Sequence, residues 1–124
     1  MTKKRILLSA MIMAAMAAAA FAADVTGTWT ASFDTQVGKQ NYTYTFKVDG
    51  TKLTGKAKSE LAMTESDITD GTVNGDDISF VENLNYQGMP LKIVYKGKIA
   101  GDEIKFTRTI ADMFMEELVA KRMK

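Results

Sequence analysis

Three ionisable residues are predicted to point into the interior of a β-barrel, where an unpaired charge is costly. They are Asp67, Glu82 and Arg108. A guanidinium offers a fork of donors that suits a carboxylate or sugar hydroxyls, and the two carboxylates would accept hydrogen bonds. Tyr42 and Tyr86 are expected at the same rim, where their rings would form stacking walls. These five residues make up a predicted ligand-binding site at the open end of the barrel.

The same charges allow other interpretations. Arg108 and Glu82 could form a structural ion pair that satisfies itself and fixes the strand register. A single β-bulge would turn one of the charged residues to the other face of its sheet. Asp67 and Glu82, if opposite each other, could also act as the two carboxylates of a retaining glycosidase. Catalysis is not favoured, because a small barrel has little room for a sugar chain. Pairing with Arg108 would also lower the carboxylate pKa values, whereas a catalytic acid needs a raised one.

The composition excludes several kinds of site. The chain of 124 residues contains no His and no Cys, which removes the commonest general base, the commonest transition-metal ligand and all thiol chemistry. No cofactor and no metal site are predicted, since the acidic residues beside the turn glycines lack the spacing of a calcium loop. A formal net charge of +1 without a basic stripe argues against a nucleic-acid partner.

A turn unit that occurs three times organises the strands that would position these residues. It spans residues 48–53, 73–78 and 99–104, and each copy has a glycine at its third position between apolar residues. Such turns between alternating apolar residues predict tight β-hairpins, because glycine accepts the positive φ that these turns need. The repeat therefore predicts three hairpins with their turns at one end of the molecule.

Residues opposite each other in a hairpin share a face, so the turns also predict side-chain neighbours. Counting from the second turn places Asp67 opposite Glu82. Counting from the third turn places Tyr95 opposite Phe106. The looser connections fall at the other end of the strands, which is the predicted mouth.

The two ends of the chain decide whether the sheet closes. Residues 25–34 alternate strictly between apolar and polar types, which predicts a half-buried first strand. Residues 112–124 contain good helix formers, so local propensity favours a helix there. Seven antiparallel strands in a meander would leave two open edges, however, and residues 117–123 as an eighth strand would close the sheet. We therefore predict an all-β fold, an eight-stranded antiparallel up-and-down (meander) β-barrel, in which Arg122 lies near Trp29.

Two groups of residues resemble a known family. Gly27-Thr28-Trp29 on the first strand, with Arg122 on the last strand able to cover the indole, resembles the lipocalin and calycin barrels. The repeats, together with residues 106–122, also resemble small lipocalin-like domains of exported bacterial proteins, which occur alone or appended to glycoside hydrolases. This resemblance implies a lipocalin-like barrel whose floor is plugged by Trp29 and Arg122. It covers nearly all of the chain after the first 22 residues.

The N-terminus has the pattern of a secretory signal peptide over residues 1–22. A basic start is followed by a short apolar run and a small-x-small cleavage site, Ala20-Phe21-Ala22. We expect an exported protein, periplasmic or secreted, with no stable membrane span after cleavage. Residues 23–124 would then form a single β-barrel domain without disulfides.

Two functions are compatible with this barrel. The first is a non-enzymatic binding module for a small polar ligand, a saccharide or a carboxylate, at the open end. The second is a structural or accessory domain that acts through protein–protein contacts, possibly alongside sugar-active enzymes, with a partner that the sequence does not identify. Large inward residues predict a mostly filled interior with at most a shallow mouth. They are Trp29, Phe33, Tyr42, Tyr44, Phe46, Phe80, Tyr95 and Phe106.

Overall fold

The computed structural model describes residues 24–123, and all regular structure in this range is β-strand. Each strand pairs antiparallel with the next, and the last pairs with the first, which closes the barrel. The predicted eight-stranded antiparallel up-and-down barrel is thus confirmed. The predicted signal peptide, residues 1–22, lies outside the described residues. The strands are β1 (Gly27–Thr35), β2 (Gly38–Asp49), β3 (Lys52–Ser59), β4 (Thr64–Asn74), β5 (Asp77–Tyr86), β6 (Met89–Ala100), β7 (Glu103–Ile110) and β8 (Phe114–Arg122).

No helix long and apolar enough to cross a membrane occurs between residues 24 and 123. The interior is occupied by the aromatic residues predicted to face inward, all of which are buried. Phe80 and Tyr95 stack with their ring centroids 4.4 Å apart, and Phe106 meets both rings edge-on. The part of the barrel nearer the tight turns, called the lower barrel below, is therefore a packed core.

The three predicted hairpins are present. Gly50, Gly75 and Gly101 begin the two-residue turns with φ values of 64°, 60° and 63°, which glycine adopts at little cost. Each turn lies one residue later than predicted, so the pairing shifts by two. Tyr95 is therefore opposite Arg108 and not Phe106. A shift of two leaves every side chain on its predicted face.

The predicted inward orientation of Asp67 is wrong. The β4–β5 pairing changes register between Thr69 and Thr72, where Asp70 takes a left-handed conformation with φ of 53°. This bulge reverses the faces of the earlier part of β4, so Ile68 is buried opposite Glu82. The Asp67 side chain is 78% exposed on the outside, 3.7 Å from the Lys56 ammonium.

The C-terminal residues form the closing strand β8, as the edge argument predicted and against their helix propensity. Leu118 and Ala120 are buried while Val119 between them is exposed, which is the alternation of a half-buried strand. Trp29 pairs with Arg122, and the Met123 N–H donates to the Thr28 carbonyl over 2.8 Å. Pairing with β1 and β7 outweighs the local preference for a helix.

The seam between β1 and β8 is closed over only a short length. The paired positions are Trp29 with Arg122 and Thr30 with Lys121. On its other side β8 pairs with the whole length of β7, from Glu103 with Lys121 to Ile110 with Phe114. The edges of β1 and β8 are thus joined near the tight turns and lie unpaired toward the mouth.

Candidate functional site

The end of the barrel with the tight turns is closed by Trp29 and Arg122, the pair expected there from the sequence. The Trp29 ring is fully buried, and the Arg122 guanidinium lies 4.4 Å from its centroid. Arg122 also donates to the Thr26 and Asp24 carbonyls over 3.1 and 3.0 Å, which holds the N-terminal segment across the floor. Its Nε donates to Asp102 of the third turn over 3.3 Å. These contacts hold residues 24–26 against the end of β8, which is a structural task.

Arg108 and Glu82 lie inside the barrel, as predicted, with exposures of 2% and 0%. The nearest distance between the guanidinium and the Glu82 carboxylate is 3.9 Å, from Nη1 to Oε1. The direct partner of Arg108 is Glu116, whose Oε1 accepts from Nε over 2.7 Å. Sequence reasoning missed Glu116. The sequence feature that could have identified Glu116 is its spacing of two from Leu118, because residues two apart in a strand lie on the same face.

Three tyrosines form a hydrogen-bond network around Glu82, and one of them, Tyr95, links it to Arg108. Tyr42 donates to Glu82 Oε2 over 2.9 Å, and Tyr95 donates to Glu82 Oε1 over 2.7 Å. The Tyr95 hydroxyl in turn accepts from Arg108 Nη1 over 2.9 Å. Because the Tyr95 proton is directed at Glu82, Tyr44 must be the donor in the 2.9 Å contact between the Tyr44 and Tyr95 hydroxyls. Within residues 24–123, every buried side-chain nitrogen and oxygen has a hydrogen-bond partner.

Burial controls the electrostatics of this network. Loss of hydration raises the pKa of Glu82, and the hydrogen bonds from Tyr95 and Tyr42 and the charge of Arg108 only partly oppose that effect. Burial likewise raises the pKa of Tyr42, Tyr44 and Tyr95, which keeps their hydroxyls protonated as donors. With both glutamates ionised, two carboxylates share one guanidinium. The cluster then has a formal excess of one negative charge.

A cavity of about 210 Å³ opens above this network at the mouth. Its walls are mainly aliphatic, and its polar groups include Arg108, Glu116 and Gln40. The Gln40 carboxamide oxygen accepts a hydrogen bond from Ser59 over 3.2 Å. The aliphatic wall residues include Leu84, Leu91, Ile93 and Ile110.

The structure divides the five residues predicted for the binding site. Arg108 and the half-buried Tyr86 line the cavity. Glu82 and Tyr42 are buried, are joined by a hydrogen bond, and do not line the cavity. Asp67 lies outside the barrel, so it cannot flank one glycosidic bond together with Glu82, as the glycosidase interpretation required. The cavity therefore has an arginine that the sequence identified and two polar neighbours, Glu116 and Gln40, that it did not.

Comparisons with known protein families, with curated proteins and with solved structures gave no match to this chain.

Proposed function

We propose that this protein is an exported, lipocalin-like binding module that takes a small polar ligand at the open end of its barrel. The observation that carries the proposal is the mouth cavity with Arg108 among its lining residues. A concave, mainly apolar site with a few polar groups is the usual form of a small-molecule site. The volume is below the roughly 300–1,000 Å³ of sites for drug-sized ligands, so the ligand is small.

Of the two ligand classes predicted, a carboxylate with a short apolar body fits the cavity better than a saccharide. Leu84, Leu91, Ile93 and Ile110 offer aliphatic surface to an apolar body, whereas a sugar would leave hydroxyls against these walls. Arg108 is the group that would bind the carboxylate, because guanidinium–carboxylate pairs are strong and oriented. The saccharide remains the second ligand class under this proposal.

The carboxylate of Glu116 occupies the position that a ligand carboxylate would take on Arg108. Its Oε1 lies 2.7 Å from Arg108 Nε, and its side chain is 13% exposed. A ligand would bind by exchanging with Glu116, which can turn toward the solvent at the mouth. Glu116 therefore competes with the ligand and sets its affinity.

A thermal-shift screen of residues 23–124 tests this proposal. The panel contains butyrate, hexanoate and benzoate, the matched amides butanamide, hexanamide and benzamide, and glucose and galactose. A ligand at a hundred times its Kd should add about 2.7 kcal/mol, which raises Tm by roughly 10–20 °C in a domain of about 100 residues. Equal shifts from the acid and its amide, or no shift from any compound, would refute the carboxylate site.

Glu116→Gln is the variant that sharpens the screen. It removes the competing charge while leaving Arg108 in place, so carboxylates should bind about tenfold more tightly or better, in line with about 1.5–3 kcal/mol for a hydrogen bond to a charged group. Arg108→Met is the companion variant and should abolish the shift. A Glu116→Gln protein that binds carboxylates no better than the wild type would contradict the exchange.

Export and family remain part of the proposal. The pattern of residues 1–22 supports export to the periplasm or medium, and N-terminal sequencing of the protein from those fractions tests cleavage after Ala22. The stacking of Arg122 on Trp29 in a closed eight-stranded barrel supports lipocalin or calycin character. An accessory role through protein–protein contacts, possibly beside sugar-active enzymes, is the alternative function, and the filled lower barrel favours it.

A further inference from the structure

The mouth end of the β1–β8 seam presents unpaired strand edges. Pairing between these strands stops at Thr30 and Lys121, although β1 continues to Thr35 and β8 begins at Phe114. The backbone donors and acceptors on these edges are therefore not used between the two strands. An unpaired strand edge is a template for another extended chain.

A groove of about 470 Å³ lies at this place on the rim. It adjoins the mouth cavity, because both are lined by Thr35, Gln36, Phe114 and Glu116. The groove and the cavity are thus neighbouring depressions that share part of their walls. An extended segment in the groove can place a side chain in the cavity.

The groove combines apolar and acidic side chains. Met113 and Met115 are 75% and 73% exposed and Phe114 is 42% exposed, so the three consecutive residues form an exposed apolar patch. Methionine side chains adapt to varied partners because they are unbranched and polarisable. Asp34 and Glu117 lie in the same groove, are exposed, and make no ion pair within residues 24–123.

We propose that this rim groove binds an extended peptide segment of a partner protein that carries basic residues. The segment pairs with the free edge of β8, places one apolar side chain in the mouth cavity and sets Lys or Arg beside Asp34 and Glu117. The four β8 residues that line the groove, 114–117, span about 13 Å at roughly 3.3 Å per residue, enough for a short added strand. The two carboxylates would repel an anionic lipid surface, so charge favours a basic peptide over a membrane.

Fluorescence anisotropy with labelled synthetic peptides tests this inference. The probe alternates lysine with apolar residues, Lys-Val-Lys-Phe-Lys-Val-Lys, and its counterpart has glutamate in place of every lysine. Wild-type protein should bind the lysine peptide at least tenfold more tightly than the glutamate peptide. Asp34→Lys/Glu117→Lys should reverse that order, which a merely misfolded variant could not do.

Two controls separate the groove from general electrostatics. Asp49→Lys/Asp76→Lys makes the same change of charge on exposed residues at the opposite end, and the lysine peptide should bind this variant within threefold of the wild type. A lysine peptide methylated on alternate backbone nitrogens keeps its charge but loses strand pairing along one edge. It should bind at least tenfold more weakly than the unmodified peptide.

Several results would overturn the inference. The first two are equal affinity of the wild type for both peptides, and a loss of lysine-peptide affinity in Asp49→Lys/Asp76→Lys as large as that in Asp34→Lys/Glu117→Lys. The other two are unchanged affinity of the methylated peptide, and binding to phosphatidylcholine vesicles in place of the peptide. The peptide and the small ligand share the mouth cavity, but peptide anisotropy and the thermal shift are separate readouts, so failure of one proposal can be told from failure of the other. A carboxylate-dependent thermal shift without peptide binding would support the proposed function and refute the peptide groove. Peptide binding without any carboxylate-dependent shift would support the peptide groove and refute the proposed function.

Discussion

Replacing Arg108 with methionine should destabilise the barrel by about 3–5 kcal/mol, the usual cost of leaving a buried charge without its partner. The charge left behind is that of Glu82, which has no exposed surface. Glu82 keeps its hydrogen bonds from Tyr42 and Tyr95, so the loss is the positive charge at 3.9 Å rather than a missing donor. Glu116 contributes less, because it can turn toward water at the mouth.

Removing the buried negative charge should recover much of this loss. We expect Arg108→Met in a Glu82→Gln background to cost at least about 1.5 kcal/mol less than in the wild type, within the range measured for residues of one network. Urea unfolding at pH 7 measures both, with fluorescence from Trp29, the single tryptophan of the chain, as the probe. Arg108→Asp is not a useful substitute, since it adds a further buried charge.

Additive costs would refute this reasoning. If Arg108→Met costs the same with Glu82 as with Gln at that position, the guanidinium stabilises through packing on Phe33 and Tyr42, whose ring centroids lie 4.7 and 5.1 Å from its Cζ. A cost below about 1 kcal/mol for the single variant would likewise show that the charge of Glu82 does not need Arg108.

Three further predictions concern pH, the outer face and the floor. Burial raises the pKa of Glu82, so the folded protein binds the Glu82 proton more tightly than the unfolded chain does. This proton binding stabilises the fold fully below the unfolded-state pKa of about 4.3, and the stabilisation is lost as pH rises through the folded-state pKa. The unfolding free energy of the wild type should therefore fall relative to that of Glu82→Gln as pH rises from about 4. If urea unfolding gives the same difference between the two proteins from about pH 4 to about pH 8, this expectation is contradicted. Asp67→Asn should change stability by less than about 0.5 kcal/mol, because the ion pair of Asp67 within residues 24–123 is with an exposed lysine, Lys56. A loss above about 1 kcal/mol in the same assay would mean that Asp67 faces inward after all. Arg122→Ala should cost about 1–2 kcal/mol through lost cation–π stacking on Trp29 and shift the tryptophan emission, and an unchanged spectrum would contradict the floor contact.

Most of the fold was accessible from the sequence because its signals are local. Alternating side chains identify a strand and its faces, and a glycine between them identifies the turn. The closing strand β8 was accessible only by a topological argument, since residues 112–124 favour a helix by propensity. The error in register at the third turn was harmless, because a shift of two preserves the faces.

The candidate site was less accessible, because its members depend on pairings between distant segments. Arg108 and Glu82 were identified by alternation alone, whereas the link between them passes through Tyr95 and the direct partner is Glu116. Asp67 was misplaced because alternation fails at a bulge, and a non-glycine residue at positive φ, Asp70, leaves no clear trace in the sequence.

The sequence by itself determined the all-β class, the three hairpins, the inward aromatic residues and the Trp29–Arg122 floor. The first three follow from the two-residue period of a strand or from turn chemistry, which act over a few residues, whereas the floor follows from closing the sheet with the last strand beside the first. Only the tertiary structure decided that β4 reverses its faces, that Glu116 holds Arg108, and that the β1–β8 seam stays unpaired toward the mouth. These features arise where curvature and closure of the whole sheet set the distance between strands, a quantity that no single segment of the chain contains.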